Sequence, residues 1–464
     1  MSTISFKKII LVAGIAGMLI SCSSSRHFHR EDVDTDALYG DTLTTDSATI
    51  ADMPWQELFT DPYLKSLIQE GLTNNPDLQI AVQRVMEAEA YFSQSKASFF
   101  PTLGVQGSAG YIRNSEAIYP AGPRDINDFQ LTAESSWEID IWGKLRSSKR
   151  AAYGDLLASD AGKKAVQTSL IANIASTYYA LMALDDQLTI TRQTVKYNID
   201  LVETMKALKE SGQVTGAAIV QSEASRYAAE VTIPDLEQQI RETQNTLCLL
   251  LGRTPGNIER GSLEDQQKEV PLLKTGVPSQ LLDNRPDVMQ AEYAVMSAYE
   301  LTNNARSYFY PSLTLTASTG FESNKLNELL DPDQFLANVV GGLAAPIFNK
   351  RNNVTRLKVA KAQREEALIS LRNTLLAAGQ EVNNALGSYN TADQKMVLRK
   401  LQVKALQLSV EYTKELLTYG QANYTEVLTA QQNLLAAQLN DVNDHVQQLN
   451  AVVSLYRALG GGWK

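Results

Sequence analysis

The sequence predicts a mostly α-helical chain that carries a membrane β-barrel, built from two copies of one helix-strand-strand-helix-helix unit. Three observations carry that expectation. Landmarks recur about 208 residues apart, four segments alternate apolar with small or polar residues, and two proline-free stretches run from about 144 to 211 and from about 352 to 419.

The repeat comes first, because an overlooked duplication misassigns every later element. Asn75-Pro76-Asp77 recurs as Arg285-Pro286-Asp287, and Lys96-Ala97-Ser98-Phe99-Phe100-Pro101 as Arg306-Ser307-Tyr308-Phe309-Tyr310-Pro311, both displaced by 210. Ile141-Trp142-Gly143-Lys144 recurs as Ile347-Phe348-Asn349-Lys350 at 206, while Gly212-Gln213 recurs as Gly420-Gln421 and Leu251-Gly252 as Leu459-Gly460 at 208. The order is kept and the drift is small. The chain therefore divides into a first repeat over 63–252, a linker or equatorial segment over 253–278 and a second repeat over 279–464.

Ahead of the repeats, Lys7 and Lys8 precede an apolar run from Ile9 to Ile20 that ends at Ser21-Cys22, the layout of a secretory signal over 1–21. Twelve residues are too few for a bilayer core that needs roughly 20. Leu19-Ile20-Ser21-Cys22 resembles a bacterial lipobox, which implies cleavage before Cys22 and a covalent lipid on its thiol, with 22–62 as the tether that follows. Each buried CH₂ of such a chain adds about 0.8 kcal/mol of membrane affinity. The absence of an acidic residue beside the cysteine implies sorting to the outer membrane under the familiar enterobacterial scheme. Cys248, within an apolar helical run, reads as a buried thiol, so no intramolecular disulfide is expected.

Within each repeat the elements follow from periodicity. Residues 63–98 and 280–308 read as helices, interrupted in the first copy at Asn75-Pro76. Strands are expected at about 102–112, with Leu103, Val105, Gly107, Ala109 and Tyr111 on one face, and at about 129–141, with Phe129, Leu131, Ala133, Trp137, Ile139 and Ile141 on one face. The second copy repeats them at about 312–323 and 334–345. Helices over 144–211 and 352–419 follow, and at 1.5 Å per residue each would reach about 100 Å. In the second, Leu368, Leu375, Val382, Tyr389 and Met396 recur every seven residues beside Leu371, Ala378, Ala385 and Ala392, the seam of a helix packed along its length. Shorter helices over 213–251 and 421–459 close each copy.

Strands of that length suit a transmembrane barrel. Four strands leave two open edges, and unpaired backbone groups in hydrocarbon cost several kcal/mol each, so a barrel would have to close between chains. Three chains supply twelve strands, enough for a lumen. A small soluble sheet packed on helices is the alternative. The secretory N-terminus, the Gly/Ala/Ser-rich faces and the aromatic residues at strand boundaries (Phe99, Phe100, Trp142, Tyr308, Phe309, Phe348) favour the barrel.

The net charge of -10, with 42 basic against 52 acidic residues and no basic cluster, argues against nucleic acid as a partner. The histidines are His27, His29 and His445, and no metal-ligand spacing, nucleophile triad or phosphate loop is present, so neither metal nor cofactor nor catalysis is expected. Ser211-Gly212-Gln213 and Tyr419-Gly420-Gln421 join a long helix to a shorter one and read as tight helical-hairpin turns.

Leu281-Leu282-Asp283-Asn284-Arg285-Pro286-Asp287-Val288 with Ala291-Glu292, Tyr419-Gly420-Gln421-Ala422-Asn423-Tyr424, and Leu455-Tyr456-Arg457-Ala458-Leu459-Gly460-Gly461-Gly462-Trp463 resemble the outer-membrane efflux protein (TolC-like) family, in its lipoprotein branch. The resemblance covers essentially the whole mature chain. It implies a homotrimer with a twelve-stranded outer-membrane barrel on a long periplasmic α-helical barrel, serving as the passive duct of a tripartite drug-efflux system. The implied partners are a periplasmic adaptor and an inner-membrane pump of the RND type. Ser211, Gly212, Gln213, Tyr419, Gly420, Gln421, Ala422 and Asn423 then become adaptor-contact tips. Glu426 and Thr429 fall where relatives carry pore-lining acids: Thr429 stands where many have aspartate, and Glu426 matches a second acid found in some. Three Glu426 side chains would form the constriction, although a solvated helix surface also accommodates this residue. Two rival functions share parts of the pattern: the duct of a type I protein secretion system, and a periplasmic coiled-coil scaffold without a pore.

Overall fold

The structure, a computed structural model, describes residues 28–30, 38, 48–115, 117, 124–266, 275, 276 and 278–464. The expected signal over 1–21 and the acylation site Cys22 lie outside the described residues. The first copy runs α1 (Pro62–Asn74), α2 (Pro76–Ala97), β1 (Thr102–Arg113), β2 (Asp125–Ile139), α3 (Lys144–Glu210), α4 (Gly216–Glu230) and α5 (Thr232–Leu250). The second runs α6 (Pro286–Ser307), β3 (Ser312–Ser323), β4 (Phe335–Ala344), α7 (Asn352–Thr418) and α8 (Tyr424–Ala458), with a short turn of helix at Leu281–Asn284 in the place of α1. The long helices α3 and α7 each hold 67 residues.

Three elements depart from their expected bounds. The helix expected over 280–308 is parted at the extended Arg285, before Pro286, into the turn Leu281–Asn284 and α6. The helix expected over 213–251 is two helices, broken at Val231. Pro234 brings no N–H for the Glu230 carbonyl and its ring crowds that oxygen, and Thr232 Oγ1 donates instead to Ala229 O at 2.8 Å. Strand β2 begins at Asp125 and ends at Ile139, leaving Ile141 in the turn before α3, where its N–H donates to Ile139 O at 2.9 Å.

Backbone packing groups the described residues into two units, and each draws on both copies. One takes residues from Arg84–Ser159 and Gln290–Leu371; the other takes Asp160–Met289 and Arg372–Lys464 together with residues up to Gln83.

The first unit holds an antiparallel sheet of order β1-β2-β3-β4. Its register places Val105 opposite Ala133, Leu131 opposite Phe321, Trp137 opposite Leu315, and Leu313 opposite Leu343, so odd-numbered residues of all four strands share one face. That face is apolar and open to solvent in the single chain, Leu103 being 80% and Leu343 69% exposed. The even-numbered face carries Gln106, Asp128, Gln130, Thr132, Glu134, Thr316 and Glu322. At the end of the sheet near the helices, Trp142 stacks on Tyr310 with ring centroids 5.0 Å apart and donates to Pro311 O at 2.7 Å, and Trp137 donates to Phe99 O at 2.9 Å. Beneath it α3 packs on α6 closely enough that a Cβ on Gly154 would lie 3.1 Å from Ser297 N, and Arg150 pairs with the buried Glu300 at 2.8 Å.

The second unit has an apolar interior formed by Ile171, Ile174, Tyr178, Leu181 and Met182 of α3 and, along the α7 seam, by Leu375, Ala378, Val382 and Ala392. Tyr178 Oη bonds Asp61 Oδ2 at 2.5 Å; burial first, then this bond, pushes its phenol far above the ordinary value. Asp185 forms a two-point ion pair with Arg260, Nη2 to Oδ1 being 2.7 Å. Cys248 is fully buried. No helix among the described residues is long and apolar enough to cross a membrane.

The duplication extends to how each copy is closed. Asn75 Nδ2 donates to Leu250 O at 2.9 Å, and in the second copy Arg285 Nη1 donates to Ala458 O at 2.8 Å, each reaching the last turn of that copy's final helix. After that turn comes a left-handed glycine, Gly252 at φ 69° and Gly460 at φ 88°, lying against the backbone of Asn74 and Asn284 respectively. Both ends are Schellman motifs: Arg253 N donates to Cys248 O at 3.0 Å, and Gly461 N to Tyr456 O at 2.9 Å.

Candidate functional site

The hairpin turns form the same way. At the end of α3, Gly212 N donates to Lys209 O at 2.9 Å and Gln213 N to Leu208 O at 2.9 Å; at the end of α7, Gly420 N donates to Leu417 O at 3.0 Å and Gln421 N to Leu416 O at 2.9 Å. Gly212 sits at φ 77° and Gly420 at φ 70°, a backbone region that costs any L side chain about 1–2 kcal/mol. Asn423 then caps α8, its side chain accepting from Thr425 N at 3.3 Å.

Packing brings these turns together although 208 residues separate them in the chain. Leu201 and Met205 of α3, Ala218 of α4, Leu417 of α7, and Val427 and Leu428 of α8 form one buried cluster, on which Leu208, Val214, Ala422 and Tyr424 pack. Above it lies a cleft of about 290 Å³ lined by Gln213, Thr215, Gly420, Ala422, Asn423 and Tyr424. Tyr424 Oη donates to Gln221 Oε1 at 3.1 Å, tying the start of α8 to α4. A second cluster of Val410, Ala430 and Leu434, with Tyr197 packed against it, continues the interior.

Of the residues expected at this site, Ser211, Gly212, Gln213, Tyr419, Gly420, Gln421 and Asn423 are exposed, and Ala422 is half-buried against the cluster. Tyr419, at 72% exposure, is a large apolar surface at the tip. Glu426 and Thr429 are both exposed and one helical turn apart, so they share a face of α8, opposite Val427, Leu428 and Gln431, which are buried. Thr429 Oγ1 donates back to Thr425 O at 2.8 Å. Glu426 is acidic in the first turn, where the helix dipole favours negative charge. Farther along α8, Asp444 is buried between Lys395 at 2.7 Å and Arg399 at 3.0 Å; burial works to raise its pKa, but the two cations outweigh it and hold the carboxyl below the usual carboxylate range.

Sequence reading singled out neither Gln221 nor Leu417, and met Tyr424 only as the end of the 419–424 segment. The only signal available was their place next to the turns. His29 lies outside this region and is exposed, His27 is outside the described residues, and among the described residues no three His, Cys, Asp or Glu side chains are grouped as metal ligands would be.

A family model described as "Outer membrane efflux protein" matches residues 67–253 and 277–461. The chain is 29% identical over 416 residues to the cation efflux system protein CusC of Escherichia coli, covering 88% of each. It is 28% identical over 432 residues to the probable outer membrane lipoprotein SilC of Salmonella typhimurium, covering 92% of each, and 29% identical over 421 residues to the pyoverdine export outer membrane protein OpmQ of Pseudomonas putida, covering 89% of each. Among solved structures, one of CusC superposes with a TM-score of 0.85 at 25% identity over 95% of this chain and 100% of that one, and the Campylobacter jejuni CmeC outer membrane channel with 0.83 at 24% over 95% of each.

Proposed function

From the premise that this chain belongs to the outer membrane efflux protein family, we propose that three copies close one passive duct for small solutes, held to the outer membrane by a lipid on Cys22 as well as by its strands. The protein is an outer-membrane channel component of a tripartite efflux system. It conducts and does not catalyse. The single observation that carries the closed duct is the sheet: four strands with one continuous apolar face and two unpaired edges, β1 and β4. In hydrocarbon those edges have to be paired, and pairing β4 of one copy with β1 of the next closes a ring.

The exposed tips at 211–213 and 419–423 supply the docking surface for the periplasmic adaptor's helical hairpins, through which an inner-membrane pump, of the RND type, is joined. Small solutes are favoured over proteins as cargo because relatives along nearly the whole chain are named for cation efflux and pyoverdine export. Cells lacking the gene are expected to become more sensitive to a panel of dyes, detergents, antibiotics and metal ions, and unchanged sensitivity to every one of them would overturn this cargo class.

Glu426 and Thr429 face away from the buried side of α8, and three copies of that face would line the constriction. A ring of Glu426 carboxylates there concentrates cations and repels anions. Glu426→Gln is expected to bring the reversal potential in a salt gradient toward zero in planar bilayers; a reversal potential equal to the parent's would sink the ring.

A further inference from the structure

The two copies leave the foot of the sheet differently. In the first, Trp142 is half-buried, stacked on Tyr310 and bonded to Pro311 O of the second copy. Its counterpart is Phe348, and the counterparts of Tyr310 and Pro311 are Phe100 and Pro101. These lack such cover. Ile347 is 100%, Phe348 82% and Phe100 73% exposed, and Pro101 is exposed beside it.

The backbone holds Phe348 out. Trp142 stands two residues before α3 begins at Lys144, with Gly143 between them at φ 79°. Phe348 stands four before α7 begins at Asn352, and there the left-handed positions are Lys350 at φ 53° and Arg351 at φ 63°, side chains that disfavour this region. The added residues give reach away from the chain, and such strain persists only where surrounding contacts enforce it.

The helices below repeat the asymmetry. On α6, Thr302 faces α7, its Oγ1 donating to Ala360 O at 3.1 Å, while Glu300 pairs with Arg150 and Asn304 Nδ2 donates to Lys144 O at 3.0 Å, both on α3. On α2, Phe92 matches Thr302 and packs on Tyr153 of α3, rings 5.3 Å apart. The positions matching Glu300 and Asn304 are Ala90 and Gln94, and both are exposed. One flank of α2 therefore lies open where α6 has a long helix of the other copy. Glu87 and Glu89 are exposed on α2, and Lys358 and Lys361 on the start of α7.

We infer that Phe348 of one chain stacks on Phe100 and Pro101 of the next, with the start of α7 laid along the open flank of that chain's α2. The inference rests on the trimeric duct reading and deepens it by naming the joint. β4 leads into Phe348 and Phe100 leads into β1, so the contact continues the pairing of those two edges. Three Trp142–Tyr310 joints within chains then alternate around the ring with three Phe348–Phe100 joints between them. The joints between chains are the weaker kind, because Phe348 has no N–H to reach Pro101 O as Trp142 reaches Pro311 O.

The test combines Phe348→Cys with Phe100→Cys in the full-length protein in lipid nanodiscs, treated with a short bis-maleimide and read on denaturing gels, each single variant serving as control. Cys248 is fully buried. Native mass spectrometry reports assembly independently. Crosslinked dimers and trimers are expected from the pair at about tenfold or more the yield of either single variant, because the joint raises the effective concentration of the second thiol. A trimer by mass without crosslinks would overturn the inference and leave the duct standing, with Phe348 lying in lipid; single copies by mass in the unaltered protein would overturn both. Phe348→Trp decides the matter even where the cysteine pair folds poorly. By restoring a donor toward Pro101 O it raises the temperature at which SDS parts the trimer, and an unchanged or lower temperature counts against the joint.

Discussion

Arg285→Ala is expected to destabilise the protein by about 2–4 kcal/mol. Its guanidinium, 7% exposed, bonds Asp287 Oδ2 at 2.6 Å, Glu381 Oε2 at 2.9 Å and Ala458 O at 2.8 Å. The two carboxylates are about two-fifths exposed, so each ion pair is screened and worth at most about 1 kcal/mol. The rest comes from the Ala458 carbonyl, which loses its donor in a buried place at a cost of about 1–3 kcal/mol. Arg285→Lys recovers little, because an ammonium cannot reproduce the planar fork. Asn75→Ala, the matching change in the first copy, should cost only about 1–2 kcal/mol, from one neutral hydrogen bond and from the cap that Asn75 Oδ1 provides to Leu78 N at 3.0 Å. Urea denaturation of the purified protein compares them, and equal losses at 75 and 285 would refute the weight given to the charged fork.

The second large effect lies in four glycines with similar backbone and different neighbours. Gly212, Gly252, Gly420 and Gly460 all sit between φ 69° and 88°. Around a Cβ at 212 or 420 there is nothing within 4 Å, whereas a Cβ at 460 would be 2.5 Å from Asn284 C and 2.8 Å from Arg285 N, and one at 252 would be 2.9 Å from Asn74 C. Gly212→Ala and Gly420→Ala therefore carry only left-handed strain, about 1–2 kcal/mol. Gly252→Ala and Gly460→Ala add a backbone collision that no rotamer relieves, for a total of at least about 3 kcal/mol. Thermal melts of the four variants separate strain from crowding. Equal shifts would mean that the helix ends at 252 and 460 move aside freely.

Much of this architecture was legible before any coordinates. The period-two strands, the seven-residue seam of α7 and the ordered offsets each depend on local patterns that the fold then uses directly: Leu103 and Leu131 share a face because the register pairs odd with odd, and Leu375 and Val382 are buried because they lie on the seam. The α4/α5 break was also written in the chain, at Pro234, inside a stretch where the apolar pattern read as one helix. The early start of β2 was not. Asn127 and Asp128 carry no strand signal, and they join the sheet because β1 already extends to Arg113 and pairs Tyr111 with Asn127. Pairing overrode propensity there. The candidate site divides similarly. Glycine in a turn can be read from sequence, but the partners of Arg285 at Glu381 and Ala458 are fixed only by tertiary structure.

The pairing of β2 with β3 has a consequence for assembly. It joins a hairpin of the first copy to a hairpin of the second, which is the same kind of junction that β4 and the next chain's β1 would make. The strand pairs within the chain all match odd-numbered with odd-numbered residues, as Trp137 with Leu315 and Leu313 with Leu343, and the repeat offsets are even, so a junction of the same kind between chains would carry the apolar face on around the ring. Because duplication has made half of these junctions intramolecular, they form at an effective concentration set by the chain and not by the number of copies in the membrane. Dilution can act only on the other half, and fewer independent bodies surrender translational freedom when the ring closes.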